Sequence, residues 1–465
     1  MDPDNSIAES AWGETYLDPE IQFPHPVSAR IGEPGRVFLT GATGLLGVNL
    51  LGELLRTTGA EVQCLVRARS AREGFLRITR QLMSYEVWDD AFEARIAPIV
   101  GDLAEPRFGL SESGFRALAE GADTIYHCGA EVNLLYPYKR LKATNVSSTQ
   151  EVLRLAGLYR TKPVHYVSSL AVFSRASNFS ENRGIVLETD NPKHDRTCRS
   201  GYIETKVVSE KLVQAAMERG LPACIYRTGR LAGRSDNGIM ASLSDLICVY
   251  WRACVVMECC PRVDARLKLI PVDFASRAIA YLSRRPRSMG KVFHIENPHS
   301  IAWTEIFEAT RTLGYRLESL PDDEWFAAVK RHAEVIQRDA RMVEIEKSAV
   351  DLTSIAHFGP MVFTQRNSRF FDMRQTLKGL SDTAIRCQPI DSRLLLSYML
   401  HFERCGYFPK VPLPKWKYWQ IVSKAQRGRT AAGRSGTRPI SSSGSAMVDY
   451  WRARKRASQN RGDMA

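Results

Sequence analysis

Short apolar runs alternate with amphipathic stretches along the first 300 or so positions of the chain. Val37-Phe38-Leu39-Thr40, Val62-Gln63-Cys64-Leu65-Val66, Ile99-Val100, Thr124-Ile125-Tyr126-His127 and Val164-His165-Tyr166-Val167 have the length of strands. Between them, stretches such as residues 70–88 and 141–159 place apolar side chains at helical spacing. Strands buried on both faces read as near-continuous apolar runs, so this alternation predicts β-α-β units around a doubly wound parallel sheet. After Pro261 the pattern changes. Residues 270–273 and 292–295 read as late strands of the same sheet, and residues 303–405 as mostly helical and rich in aromatics.

The first run feeds Thr40-Gly41-Ala42-Thr43-Gly44-Leu45-Leu46-Gly47 and then a helical pattern. In a strand-turn-helix of this kind Gly41 permits the tight turn, Gly44 lets backbone approach a pyrophosphate, and Gly47 lets the helix pack closely on the strand. Amides at the helix start then face the anion, and Thr40, Thr43 and Leu45 belong to the same cradle. Arg67 closes the second strand, with Arg69 beside it. A cation there suits the 2′-phosphate of NADP, where an acidic residue would suit the ribose of NAD, so NADPH is the expected cofactor.

Downstream, Tyr202 and Lys206 stand four apart in a helical pattern, on one face. An ammonium beside a phenol favours phenolate, which suits proton exchange with a substrate oxygen. Ser169, at the end of the preceding strand, offers a hydroxyl to that oxygen. Ser169, Tyr202 and Lys206 are the candidate catalytic set.

The order of these segments resembles an extended short-chain dehydrogenase/reductase. More narrowly it resembles the thioester reductase domains that end nonribosomal peptide synthetases, polyketide synthases and carboxylic acid reductases. The narrower likeness rests on Val62 to Ala68, Gly101-Asp102-Leu103 with Pro106, Ala130-Glu131-Val132-Asn133, Tyr136-Pro137-Tyr138 and Leu141-Lys142-Ala143-Thr144-Asn145-Val146. It rests also on His165-Tyr166-Val167-Ser168-Ser169, Tyr226-Arg227-Thr228-Gly229-Arg230 and the stretch from Phe402 to Pro409, and spans residues 34–412. The family often has threonine at the place of Ser169, which keeps the hydroxyl, and usually proline at the place of Thr228, in the loop that supports the nicotinamide.

The resemblance implies an α/β Rossmann-type doubly wound sheet with a smaller, mainly helical C-terminal substrate lobe. Residues 1–34 then form an N-terminal arm, 35–300 the NADP-binding domain with a lobe insertion at about 237–266, 301–415 the helical lobe, and 424–465 a basic, disordered tail. It implies that Asp102 and Leu103 flank the adenine, that Gly129 and Ala130 pass the ribose and pyrophosphate, and that Asn145 supports the active-site water and lysine. Ser168, Tyr202 and Lys206 join the cofactor contacts. Arg227 is a cofactor-phosphate or substrate-arm contact, as is Arg230, with salt bridges to the lobe as the other reading. The implied reaction reduces an acyl thioester on an acyl carrier protein or coenzyme A with NADPH, releasing an aldehyde, with reduction by a second hydride to an alcohol left open. Other substrates on this fold, a nucleotide sugar in an epimerase or a sterol-like molecule, stay open as alternatives, as does a non-catalytic NADP-sensing regulator. The apolar, Cys-bearing residues 237–263 are a candidate acyl-arm channel or simply core.

Composition narrows the remaining possibilities. With 44% hydrophobic and 25% charged residues in 465, the chain affords a large core and is neither a fibre nor disordered throughout. Its most apolar stretch, residues 246–257, is broken by Arg252 and is well short of the roughly 20 residues a membrane span needs. The N-terminus is acidic and lacks an export pattern, so a cytoplasmic location is expected. Ten irregularly spaced cysteines read as reduced thiols. Cys254, Cys259 and Cys260 do not fit a paired metal spacing and have no histidine near, so no metal is expected. Of the net charge of +13, residues 424–465 supply +8 from ten Lys/Arg against two Asp. Most of the excess therefore belongs to the tail, which offers an acidic partner a contact and argues against specific nucleic-acid binding.

Overall fold

The structure, a computed structural model, describes residues 14–27, 31–173, 184–193, 200–240, 243, 245–338, 370–411, 413, 414, 416 and 420. Seven parallel strands form one sheet: β1 (Arg36–Thr40), β2 (Glu61–Val66), β3 (Ile96–Val100), β4 (Thr124–His127), β5 (Val164–Ser169), β6 (Ala223–Thr228) and β7 (Val292–Ile295), in the order β7-β6-β5-β4-β1-β2-β3. All neighbouring pairs run parallel, Val37 lying beside Val62 on one side and Thr124 on the other. The order reverses between β1 and β4, and ligands of open parallel sheets bind at the carboxyl ends beside such a switch.

Alternation along each strand divides the core in two. Val37, Leu39, Val62, Cys64 and Val66 point to one face, against α1 (Leu45–Thr57), α2 (Ala71–Ser84) and α7 (Val272–Leu282). Phe38, Leu65, Ile125, Val164 and Tyr166 point to the other, against α3 (Glu112–Gly121), α4 (Ser148–Gly157) and α5 (Gly201–Glu218). Burial on both faces is what makes these strands read as unbroken apolar runs. The described part of the N-terminal arm belongs to the second face: Leu17 and Ile21 are buried in it, and Arg219 at the end of α5 donates to the carbonyls of Leu17, Asp18 and Ile21.

One strand expectation is corrected. Residues 292–295 do join the sheet, as β7, but Leu269–Pro271 pairs in parallel with Arg230–Ala232 outside it. Pro271 has no N–H to extend a ladder, and it is the N-cap of α7, so the chain turns into helix there. The helical residues after 301 include α8 (Trp303–Thr312), α9 (Asp322–Arg338) and α10 (Ser392–Arg404). They pack with α6 (Leu246–Val256): Trp251 lies edge-on to Phe402 and Phe408, and its Nε1 donates to Thr310 Oγ1 at 2.8 Å. Cys248, Tyr250, Trp251 and Cys254 are buried, so this part of the proposed acyl-arm channel is core packing. The basic tail at 424–465 lies outside the described residues.

Candidate active site

The turn after β1 is shaped by close backbone approaches. Gly41 has φ +75°, and a Cβ on it would stand 2.7 Å from the N and Cα of Gly129 at the end of β4. A Cβ on Gly47 would stand 2.0 Å from the carbonyl oxygen of Gly41. Gly44, by contrast, is the exposed N-cap of α1; no side chain caps the helix and its first turn contains no acidic residue. The backbone amides there are thus arranged for an anion, and the structure fits a dinucleotide pyrophosphate at this turn. Leu45 begins α1 and Thr43 is half-buried beside it. Leu103 packs directly over Gly129, its Cδ1 2.4 Å from where a Cβ would be, and Ala130 follows half-buried. Asp102 turns the loop after β3, its Oδ1 accepting from Ala104 N at 3.0 Å. Arg67, just past β2, is exposed and makes no side-chain hydrogen bond or ion pair among the described residues.

Thr40 shapes this cradle from behind. Its hydroxyl is fully buried, accepts the Gly129 N–H at 3.0 Å and lies 2.8 Å from His127 Nδ1. His127 Nε2 is 3.2 Å from Thr149 Oγ1, which donates at 2.8 Å to the carbonyl of Asn145. Since Thr149 spends its proton on that carbonyl, it accepts from His127 Nε2–H, and Nδ1 accepts from Thr40. Burial among these groups and the nearby Lys206 charge push the His127 pKa down to about 3, so the ring is neutral.

Asn145 sits in a π-helical turn, Ala143–Ser147, that leads into α4; turns of this kind are frequent at functional sites. Its side chain exchanges two bonds with the backbone of Glu131, at 2.8 and 3.1 Å, and donates to Thr205 Oγ1 at 3.0 Å. Thr205 in turn donates to the carbonyl of Tyr202 at 2.7 Å. Asn145 therefore ties the loop after β4 to α5 through Thr205. Lys206 Nζ donates to the carbonyl of Val167 at 2.9 Å and lies 5.0 Å over the Tyr166 ring.

That lysine bond seats α5 on the end of β5, two residues before Ser169. The Ser169 oxygen accepts from Ala171 N at 3.1 Å, which leaves its O–H to donate outward. Tyr202 is half-buried, one turn before Lys206 on the same helix face. Burial pushes its phenol up to about 12, and pushes Lys206 down to about 8, Cys128 and Glu210 opposing the second shift. The expectation that the lysine lowers the phenol pKa is corrected: the desolvation of Tyr202 dominates, and the phenol is a protonated donor at neutral pH.

Two further expectations are corrected. Arg227 is fully buried and gives all its N–H groups to Glu210, His294 and the carbonyls of Glu188 and Asp190, so none is left for a cofactor phosphate. Ser168 donates to Glu210 Oε2 at 2.6 Å and is buried, so its side chain too faces the protein. Glu210 escaped the sequence reading. Its signal is its place four residues after Lys206, a charge on a face otherwise buried. Among the described residues no group of three or more His, Cys, Asp or Glu is placed to hold a metal ion, and no helix is long and apolar enough to cross a membrane.

Residues 39–279, just over half of the chain, match the NAD-binding family described as male sterility protein. The chain is 38% identical over 399 residues to a component of linear gramicidin synthase from Brevibacillus parabrevis, a match that covers 86% of this chain and 8% of that one. It is 30% identical to aldehyde reductase lnaA of Aspergillus flavus, over 82% of this chain and 37% of the other. It thus spans well under half the length of these relatives. The terminal R domain from the myxalamid PKS-NRPS biosynthetic pathway superposes with a TM-score of 0.76 at 36% identity, covering 88% of this chain and all of that domain. With a match of that extent to a whole domain, the chain belongs to the NAD-binding male sterility protein family and, within the extended short-chain dehydrogenase/reductases, to the terminal reductase group.

Proposed function

We propose that this protein reduces acyl thioesters, presented on a carrier protein or coenzyme A, to aldehydes, with NADPH as the preferred reductant. The observation that carries the reading is the seating of α5 on β5 by the Lys206 bond to Val167, which sets a protonated Tyr202 phenol and the Ser169 hydroxyl at one end of the sheet beside the glycine cradle. The likeness to a terminal R domain and to an aldehyde reductase supports it.

When bound, the nicotinamide supplies the hydride. Ser169 O–H and Tyr202 O–H donate to the thioester oxygen as negative charge develops there, and hydrogen-bond donors fixed in advance at such a position lower the barrier most. Tyr202 then passes its proton to that oxygen, giving a hemithioacetal. Collapse of this adduct breaks the C–S bond and leaves an aldehyde and a thiol. Lys206, buried and charged below about pH 8, holds a cation beside the anionic cofactor. The exposed guanidinium of Arg67, just past β2, supports NADPH as the preferred reductant, since a cation there would pair with a 2′-phosphate.

The test compares substrates in one assay of NADPH oxidation: an acyl-CoA, an acyl-carrier protein, a nucleotide sugar and a steroid. Oxidation with the thioesters alone supports the reading. Turnover of the sugar or steroid alone, or tight NADPH binding with no turnover of any substrate, contradicts it.

A further inference from the structure

Glu210 of α5 and Arg227 of β6 form an ion pair with both side chains fully buried. Arg227 donates to Glu210 Oε1 from Nε at 3.0 Å and from Nη2 at 2.6 Å, while Ser168 donates to Oε2 at 2.6 Å. The Arg227 guanidinium lies 4.8 Å over the Phe173 ring and also donates to the carbonyls of Glu188 and Asp190. Ser168 and Phe173 bracket Ser169 in the chain, and Glu210 follows Lys206 by one helical turn. A single carboxylate therefore touches the strand end that carries Ser169 and belongs to the helix that carries Tyr202 and Lys206.

Stability alone does not account for such a pair. Removing two charges from water offsets most of their attraction, and apolar residues of similar volume often serve as well or better. What the apolar replacements lack is direction: the carboxylate fixes the distance and rotation of α5 against β5 through bonds of set geometry.

We propose that Glu210 and Arg227 are positioning residues for the reducing centre, setting the register between the Tyr202–Lys206 helix and the Ser169 strand end through Ser168. This rests on Ser169, Tyr202 and Lys206 being the catalytic set of the proposed thioester reductase.

The test uses the full chain with Glu210→Met and Arg227→Met combined, which removes the pair without leaving a lone buried charge, and Glu210→Gln, which keeps a bridging group. The double variant is expected to melt below the parent, since Ser168 and the carbonyls of Glu188 and Asp190 lose partners, yet to fold, bind NADPH within about threefold of parent, and lose about a hundredfold in kcat with little change in KM, the scale of a small misplacement of reacting groups. Glu210→Gln, able to accept from Arg227 and donate to Ser168, keeps the bridge but leaves the buried guanidinium without its counter-charge, so it is expected to melt below the parent while recovering most of the lost kcat. Amide exchange of residues 201–209 in the ligand-free double variant should be faster than in the parent. A double variant with parent kcat, or with parent exchange over 201–209, overturns the proposal. Exchange needs no substrate, so it decides the role of the pair even if the parent turned over no thioester, a result that would count against the proposed activity alone.

Discussion

The Thr40 hydroxyl and His127 Nδ1, 2.8 Å apart, begin a chain of hydrogen bonds from the glycine turn to α5. From His127 the bonds run through Thr149 to the Asn145 carbonyl, and from the Asn145 side chain through Thr205 to the carbonyl of Tyr202. Only a histidine protonated on Nε2 satisfies the sequence of donors. His127→Leu takes the acceptor from the Thr40 O–H and the donor from Thr149 Oγ1 and should lower stability by about 1–3 kcal/mol, while His127→Gln, which both accepts and donates, should lose less than half of that. Denaturant melts of the two variants check this; equal stability of His127→Leu and parent contradicts the relay.

The same histidine gives a pH dependence of known sign. Burial holds its folded pKa at about 3 against an ordinary 6.5, so between these values the unfolded chain binds more protons and stability falls as pH falls. His165 and His294, both also pushed down to about 3, add to the effect. His127→Gln should show a shallower loss of stability from pH 6.5 downward than the parent. Identical slopes would remove His127 from the account.

Gly47 tests the cradle. Alanine there sets a Cβ 2.0 Å from the Gly41 carbonyl oxygen, a clash with backbone that only a shift of α1 relieves. Gly47→Ala should cost about 1–3 kcal/mol and weaken NADPH binding by about tenfold or more, read by fluorescence titration. Unchanged affinity would mean that the turn does not hold the pyrophosphate.

How much was visible beforehand differs by kind of residue. The sheet was legible because burial on both faces turns its strands into apolar runs, and the glycine turn because close backbone contacts such as Gly41 on Gly129 admit no other residue. Polar residues were the difficulty. The sequence pattern points Ser168 and Thr40 at a ligand and leaves Arg227 between a ligand contact and a salt bridge to the lobe, yet each is buried and spends its donors inside the protein, a distinction that depends on partners far away in sequence such as Glu210 and His127. The N-terminal arm is equally opaque, since it is held by long-range partners: Arg219 on its backbone carbonyls, Arg154 on Asp18 and Lys142 on Glu14, with only Leu17 and Ile21 of residues 14–27 buried.

In the proposed reaction Arg67 is the residue that would choose between the two nicotinamide cofactors. A charge-assisted bond to phosphate is worth about 1.5–3 kcal/mol, so Arg67→Ala should reduce the NADPH over NADH preference in kcat/KM by about 10- to 100-fold, mainly through KM for NADPH. A variant with the parent preference would shift the role to Arg69.

Lys206 and Tyr202 separate binding from proton transfer. With its pKa pushed down to about 8, Lys206 loses its charge as pH rises through that value, and affinity for the anionic cofactor should fall in step, a dependence that Lys206→Met abolishes. Tyr202→Phe should keep the parent cofactor affinity and lose about 10²- to 10⁴-fold in kcat, as expected for a positioned proton donor. A Tyr202→Phe enzyme with full activity would contradict the mechanism.

Reductive cleavage of the C–S bond of an acyl thioester is the chemistry proposed for this site. The most direct measurement follows NADPH consumption, free thiol and aldehyde together during a single exposure of the protein to an acyl thioester. Thiol and aldehyde should appear together from the first turnover, one thiol for each thioester consumed, with NADPH oxidised in step. Thiol release without NADPH oxidation, or no release from any acyl thioester by protein that binds NADPH, would contradict it.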